Sequence, residues 1–135
     1  MTSVVSADVV VDASAGIEML VGPLRTRIAG RLRGKVVAVP GHFDYEVLRV
    51  LRNLLNADKI TLHAADAAVK ELAALPFLRV ETSMLIARTW SLRHNQFPGD
   101  GLYIALAEEL SAPLVTTDRK LSNAGNVRCL IEFLT

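Results

Sequence analysis

Val9-Val10-Val11-Asp12-Ala13-Ser14 decides how this chain is read. Three consecutive β-branched residues form the short apolar run expected of a strand buried on both faces. Asp12-Ala13-Ser14 closes it, and the Ser14 hydroxyl suits the cap of a helix running to about Val21. The same alternation continues outward. Pro23 fits the first turn of a second helix, ending near Gly34. Val36-Val37-Ala38-Val39 is another buried strand, stopped by Pro40-Gly41.

From His42 the period changes. Phe43, Val47, Leu48, Leu51 and Leu55 recur at three and four residues, which predicts an amphipathic helix, with Glu46, Arg49 and Asn53 on another face. Thr61 to Leu75 is a second helix, ended by Pro76, and Phe77 to Val80 is a strand. Thr82 to about His94 is helical, with Leu85, Ile86, Thr89, Trp90 and Leu92 on its apolar side. After a turn at Gln96-Phe97-Pro98-Gly99, Asp100 opens a helix to Leu110. Pro113 to Thr116 is a strand ending at Thr117-Asp118, and a last strand lies within Val127 to Phe133. Buried strands alternating with helices predict an α/β protein, a short, mostly parallel sheet with helices on both faces. No repeat or linker interrupts it, so residues 1–135 are expected to form one domain.

Composition removes several classes of function. Hydrophobic residues make up 51% of the chain and charged residues 21%, which excludes a disordered chain. The net charge of +1 is far from that of a passive polyanion coat, though a nucleic-acid enzyme can join a basic rim to an acidic metal centre. One cysteine, Cys129, forms no intrachain disulfide and fits a reducing compartment. His42, His63 and His94 show no zinc-ligand spacing. Without a basic, apolar leader or a membrane-length run, the expectation is a soluble cytoplasmic protein. No glycine-rich phosphate loop follows a strand. Asp12 lacks the neighbouring acid of a receiver domain, and Ser14 stands where a haloacid-dehalogenase-type phosphatase needs a second Asp.

Four acids stand where chemistry would collect. Asp12 and Asp118 end predicted strands, where an open parallel sheet binds its ligands. Glu46 and Asp100 lie in the first turns of helices that can face the same edge. Each alone serves equally as a cap or a dipole partner. Together, four carboxylates in one pocket would raise one another's pKa unless a cation joined them. Oxygen-only ligands favour Mg²⁺ or Mn²⁺.

Val10 to Ala15, Pro40 to Leu48, Gly99 to Ala107 and Leu114 to Leu121 resemble the PIN-domain family, and within it the VapC-type ribonuclease toxins. The likeness spans almost the whole chain, with its motifs in order. It implies a three-layer α/β/α PIN fold and a Mg²⁺-dependent endoribonuclease acting on tRNA or rRNA. Its acidic quartet falls on Asp12, Glu46, Asp100 and Asp118, and its hydroxyl helpers on Ser14 and Thr116. It also implies a VapB-like antitoxin and a homodimer. The alternative is a catalytically silent PIN-like module that binds RNA or protein. Arg119-Lys120 follow Asp118, where some relatives carry a fifth acid.

Arg119 and Lys120 are candidates for holding substrate phosphate, as is Arg93. Arg25, Arg27, Arg31, Arg33 and Lys35 form a basic cluster that reads as a solvated face or a phosphate track. Trp90 is expected in the core. Phe43, Tyr45, Phe97 and Tyr103 are expected to pack, and 5% aromatic content disfavours a stacking-type binder. His42 and His94 are secondary candidates for general acids. Met19, Leu20, Leu48, Leu51, Leu54 and Leu55 are expected to form an apolar patch.

Overall fold

The computed structural model describes residues 6–135. Its strands are β1 (Val9–Val11), β2 (Val37–Pro40), β3 (Leu78–Val80), β4 (Leu114–Thr116) and β5 (Ile131–Phe133). They form one sheet in the order β3-β2-β1-β4-β5, and all four pairings are parallel. The helices are α1 (Ala13–Val21), α2 (Arg25–Leu32), α3 (Phe43–Asn56), α4 (Leu62–Ala74), α5 (Ile86–Ser91), α6 (Pro98–Leu110) and α7 (Arg119–Ser122). The chain builds outward from β1 to β3, then returns to the other side of β1 for β4. The strand order therefore reverses between β1 and β4, and the crevice beyond their carboxyl ends is where such sheets take ligands.

Parallel strands covered on both sides need apolar residues throughout. Val9 to Val11, Ala38, Val39, Leu114 and Val115 are all buried. Against them lie α1, packed on α2, α3 and α4, and α6, packed on α5 and on the three central strands. The α1–α3 contact is close. A Cβ on Gly16 would lie 2.8 Å from Phe43 Cζ. Gly16→Ala is therefore expected to destabilise the protein by about 1–3 kcal/mol through overpacking, despite alanine's better helix propensity. A urea titration of the variant measures it.

Several local expectations change. Asp12, still extended after β1, caps α1 by accepting from the Ala15 amide at 3.0 Å; Ser14 lies inside the helix. The second helix starts at Arg25, past Pro23, and the Arg25 guanidinium takes the Met19 and Leu20 carbonyls at the end of α1. Thr82 to His94 is broken into a 3₁₀ turn (Ser83–Leu85), α5 and further turns. Leu85, Thr89 and Leu92, spaced four and three apart, form its buried stripe. Ile86 and Trp90 each stand one residue, about 100°, off that stripe, and both are 63% exposed. Trp90 is thus not a core residue. Tyr45 and Phe97 are exposed rather than packed. Asp100 lies in the first turn of α6 but does not open it; Pro98 does. The expected patch divides: Met19, Leu20 and Leu51 are core, and Leu48 is exposed.

The basic cluster divides as well. Arg25 pairs with Glu71, and Arg31 forms a two-pronged bridge of 2.7 Å bonds to Glu132, tying α2 to β5. Arg27, Arg33 and Lys35 stay exposed. No helix among the described residues is long and apolar enough to cross a membrane.

Candidate active site

The register of β1 and β4, Val11 beside Val115, sets the next residues of each strand against one another across the reversal point. Asp12 and Thr116 meet there. The Thr116 hydroxyl donates to Asp12 Oδ2 at 2.6 Å and accepts from the Asp118 amide at 3.0 Å. The Ser14 hydroxyl donates to Asp12 Oδ1 at 2.7 Å and accepts from the Thr117 amide at 3.0 Å. The two hydroxyls stitch the strand ends together and aim the Asp12 carboxylate.

Asp12 is only 4% exposed. Burial pushes its pKa up to about 6, against the pull of the bonds from Thr116, Ala15 and Ser14. Asp118 caps α7 by accepting from the Lys120 amide at 2.9 Å.

The other two acids come from helix starts. Glu46 sits in the first turn of α3, where its Oε1 accepts from the Tyr103 hydroxyl at 2.6 Å. Burial and that bond keep Tyr103 protonated. The His42 ring lies 4.8 Å from that of Tyr103, and its Nε2–H donates to the Gly99 carbonyl at 3.0 Å. His42 Nδ1 is buried without a partner. Gly99 passes close to the Glu46 carboxylate: a Cβ there would come within 2.9 Å of Glu46 Oε2. This set ties the start of α3 to the start of α6, and so Glu46 to Asp100. Burial, then the charges of Asp118 and Glu46, hold the Asp100 carboxyl above its ordinary pKa.

Asp12, Glu46, Asp100 and Asp118 all line one hollow of about 390 Å³, with Ser14 and Tyr103 in its wall. Four stretches of sequence far apart thus supply one acidic surface. Its donor set is all carboxylate and hydroxyl oxygen, the hard set that suits Mg²⁺ or Mn²⁺ rather than zinc. As the side chains stand, no three acid, imidazole or thiol groups among the described residues converge closely enough to grip an ion. Three of the four carboxylates are held by internal bonds, and Asp100 accepts none among the described residues.

The chain matches the PIN-domain family profile over residues 9–127. It belongs to the PIN-domain family. Among its relatives is Ribonuclease VapC12 of Mycobacterium tuberculosis, 36% identical over 127 residues, covering 93% of this chain and 98% of that protein. Ribonuclease VapC3 of the same organism is 38% identical over 118 residues, 86% of each chain. The crystal structure of M. tuberculosis VapC20, a sarcin–ricin loop cleaving toxin, superposes with a TM-score of 0.66 at 20% identity. The match covers 87% of this chain and 95% of that one, and it supports the PIN fold.

The basic candidates of this PIN domain part company. Lys120 stands close enough to Asp100 for its charge to pull the carboxyl pKa down. Arg119 lies over the Phe133 ring at 4.7 Å. Arg93 lies over Trp90 at 4.8 Å and lines a separate apolar hollow with Ile86 and Leu102. Arg49, three residues after Glu46 on α3, lines the acidic hollow and was not a sequence candidate. Tyr103 was expected only to pack, yet it also holds Glu46. Its place three residues after Asp100, one helical turn on, is the signal that could have found it.

Proposed function

We propose that this PIN-domain chain, residues 1–135 as one domain, is a VapC-type endoribonuclease that hydrolyses phosphodiester bonds of RNA. It would be the toxin of a toxin–antitoxin pair, acting in the cytoplasm on a tRNA or rRNA. The observation that carries this reading is the common hollow. Asp12 and Asp118 reach it from strands flanking the reversal point, and Glu46 and Asp100 from helix starts tied by Tyr103, His42 and Gly99. Those four carboxylates are the residues that would hold Mg²⁺ or Mn²⁺. A divalent cation bound there acidifies water and offsets charge on phosphoryl oxygens. Ser14 and Thr116 fix the Asp12 carboxylate, Tyr103 fixes that of Glu46, and Lys120 brings a positive charge beside Asp100 for a phosphate. Attack by water needs no 2′-hydroxyl, so no cyclic phosphate forms. With the P–O3′ bond broken and O3′ leaving with a proton, the products are 5′-phosphate and 3′-hydroxyl ends. A VapB-like antitoxin and a second copy of the chain are the partners this reading carries.

The test is cleavage of total RNA by the purified protein. Fragments are expected to carry 5′-phosphates, to disappear in EDTA and to return with Mg²⁺ or Mn²⁺. Cyclic phosphate ends, or cutting indifferent to EDTA, would refute the reading. RNA binding without any cutting would favour the silent binding module.

A further inference from the structure

A second hollow, of about 370 Å³, shares Asp100 with the acidic one. Its other walls include Asn95, Gln96, Phe97, Lys120 and Asn123. That volume lies toward the small end of pockets that hold small molecules, roughly 300–1,000 Å³. Phe97 precedes α6 with an extended backbone and is 81% exposed, the most exposed of the large hydrophobic side chains in the described residues. A lone exposed aromatic means little. This one stands three residues before Asp100, beside polar groups that no protein partner satisfies. The side-chain amides of Asn95, Gln96 and Asn123 make no hydrogen bond among the described residues, although all three residues use their backbone amides in turns. The ammonium of Lys120 forms no ion pair there either.

We propose that this hollow is a nucleobase subsite, which receives a base next to the phosphate that is cut. The inference rests on the nuclease reading and says where part of its sequence preference resides. A ring left in water offers a stacking face to any base. Carboxamides carry both donors and acceptors, the combination that reads base edges. Lys120 lines this hollow, and its charge acts on Asp100, the residue the two hollows share. There it would meet the phosphate that joins a base in this hollow to the reacting bond in the other. An apolar partner segment would find too few apolar walls here. A flat, polar-edged base carried on a phosphate backbone fits the ring, the carboxamides and Lys120.

Phe97→Ala and Phe97→Trp are the test, because a side chain this exposed can change without disturbing the core. Total RNA is cut with wild type and each variant, and the bases around every cut are mapped. The wild type is expected to show a base preference next to the cut. F97A is expected to flatten it and raise KM about tenfold, the loss of one stacked base, with kcat little changed. F97W is expected to keep both.

Binding is measured separately, with fluorescent single-stranded oligomers of A, C, G or U and protein in a D12N background. F97A is expected to bind about tenfold more weakly than its parent. Unchanged base preference together with unchanged binding overturns the subsite. So does F97A that cuts normally and loses only inhibition by the antitoxin, which would make Phe97 a partner contact. Binding that depends on Phe97 in a protein that cuts nothing would overturn the nuclease reading and leave the base subsite standing.

Discussion

D100N is expected to cut RNA at least about 10²-fold more slowly than wild type, and to melt no lower. Asp100 is the acid at which the charges of the quartet meet. Asp118 and Glu46 raise its pKa, and it raises that of Asp12 in turn. It accepts no hydrogen bond among the described residues, so asparagine replaces it without breaking one. The substitution also removes the repulsion from Asp118 and Glu46, which works against the folded state. What disappears is a negative charge where a cation and a developing transition state would need it. Losing one such electrostatic group commonly lowers kcat on the order of 10²–10³-fold. Steady-state cleavage beside a thermal melt by circular dichroism decides the matter. D100N that keeps a tenth of the activity, with the same dependence on Mg²⁺, would remove Asp100 from the site and the quartet with it.

The parts of this molecule that the sequence made legible are those where one physical signal dominates. Val9 to Val11 and Val36 to Val39 are runs of small or β-branched apolar residues, and each was read as a strand. Asp12 and Asp118 follow such runs, so their placement at the sheet's carboxyl edge came with the strands. The helix through Phe43, Val47 and Leu51 kept its period over four turns.

The losses occurred where a side chain could face either way. Ile86 and Trp90 are apolar, and composition placed them inside. The stripe of Leu85, Thr89 and Leu92 takes the core side instead, with a threonine where an aliphatic residue would be expected. Tyr103 looked like packing because most of it is packing; its hydroxyl alone reaches Glu46. Phe97 looked like packing because isolated aromatics usually are. The break after Leu85 and the single turn of α7 are too short to leave a periodic trace. Arg25 and Arg31 belonged to a cluster whose partners, Glu71 and Glu132, lie 46 and 101 residues away. Only the fold could say which charges were already paired.

The other large effect lies in stability, and it has the opposite sign to the loss of activity. D12N is expected to be more stable than wild type at pH 7.5 in EDTA. Burial raises the Asp12 pKa from an ordinary 3.8 to about 6 in the folded chain. Between those values the native state holds a proton that the unfolded state has released. Stability from the protonated form is therefore fully present below about pH 3.8 and is lost as pH rises through about 6. At neutral pH the ionised carboxylate costs on the order of 3 kcal/mol, at about 1.4 kcal/mol per pH unit. Asparagine keeps the helix cap, since its Oδ1 can still accept from Ala15 and Ser14. Its Nδ2 can donate to the Thr116 hydroxyl, which then turns its own proton toward Ser14 Oγ, 3.2 Å away. The charge is removed and the network survives. Urea titrations at pH 7.5 and pH 4.5 give the result: a gain of about 1–3 kcal/mol at the higher pH, shrinking on acidification. Mg²⁺ at millimolar concentration is expected to raise the melting temperature of wild type, because it binds only the folded quartet, and to leave D12N unmoved. A D12N protein that is less stable at pH 7.5, or whose advantage is the same at both pH values, would mean that Asp12 is not held against its own charge. The physical reason for placing a cation in this hollow would then be gone.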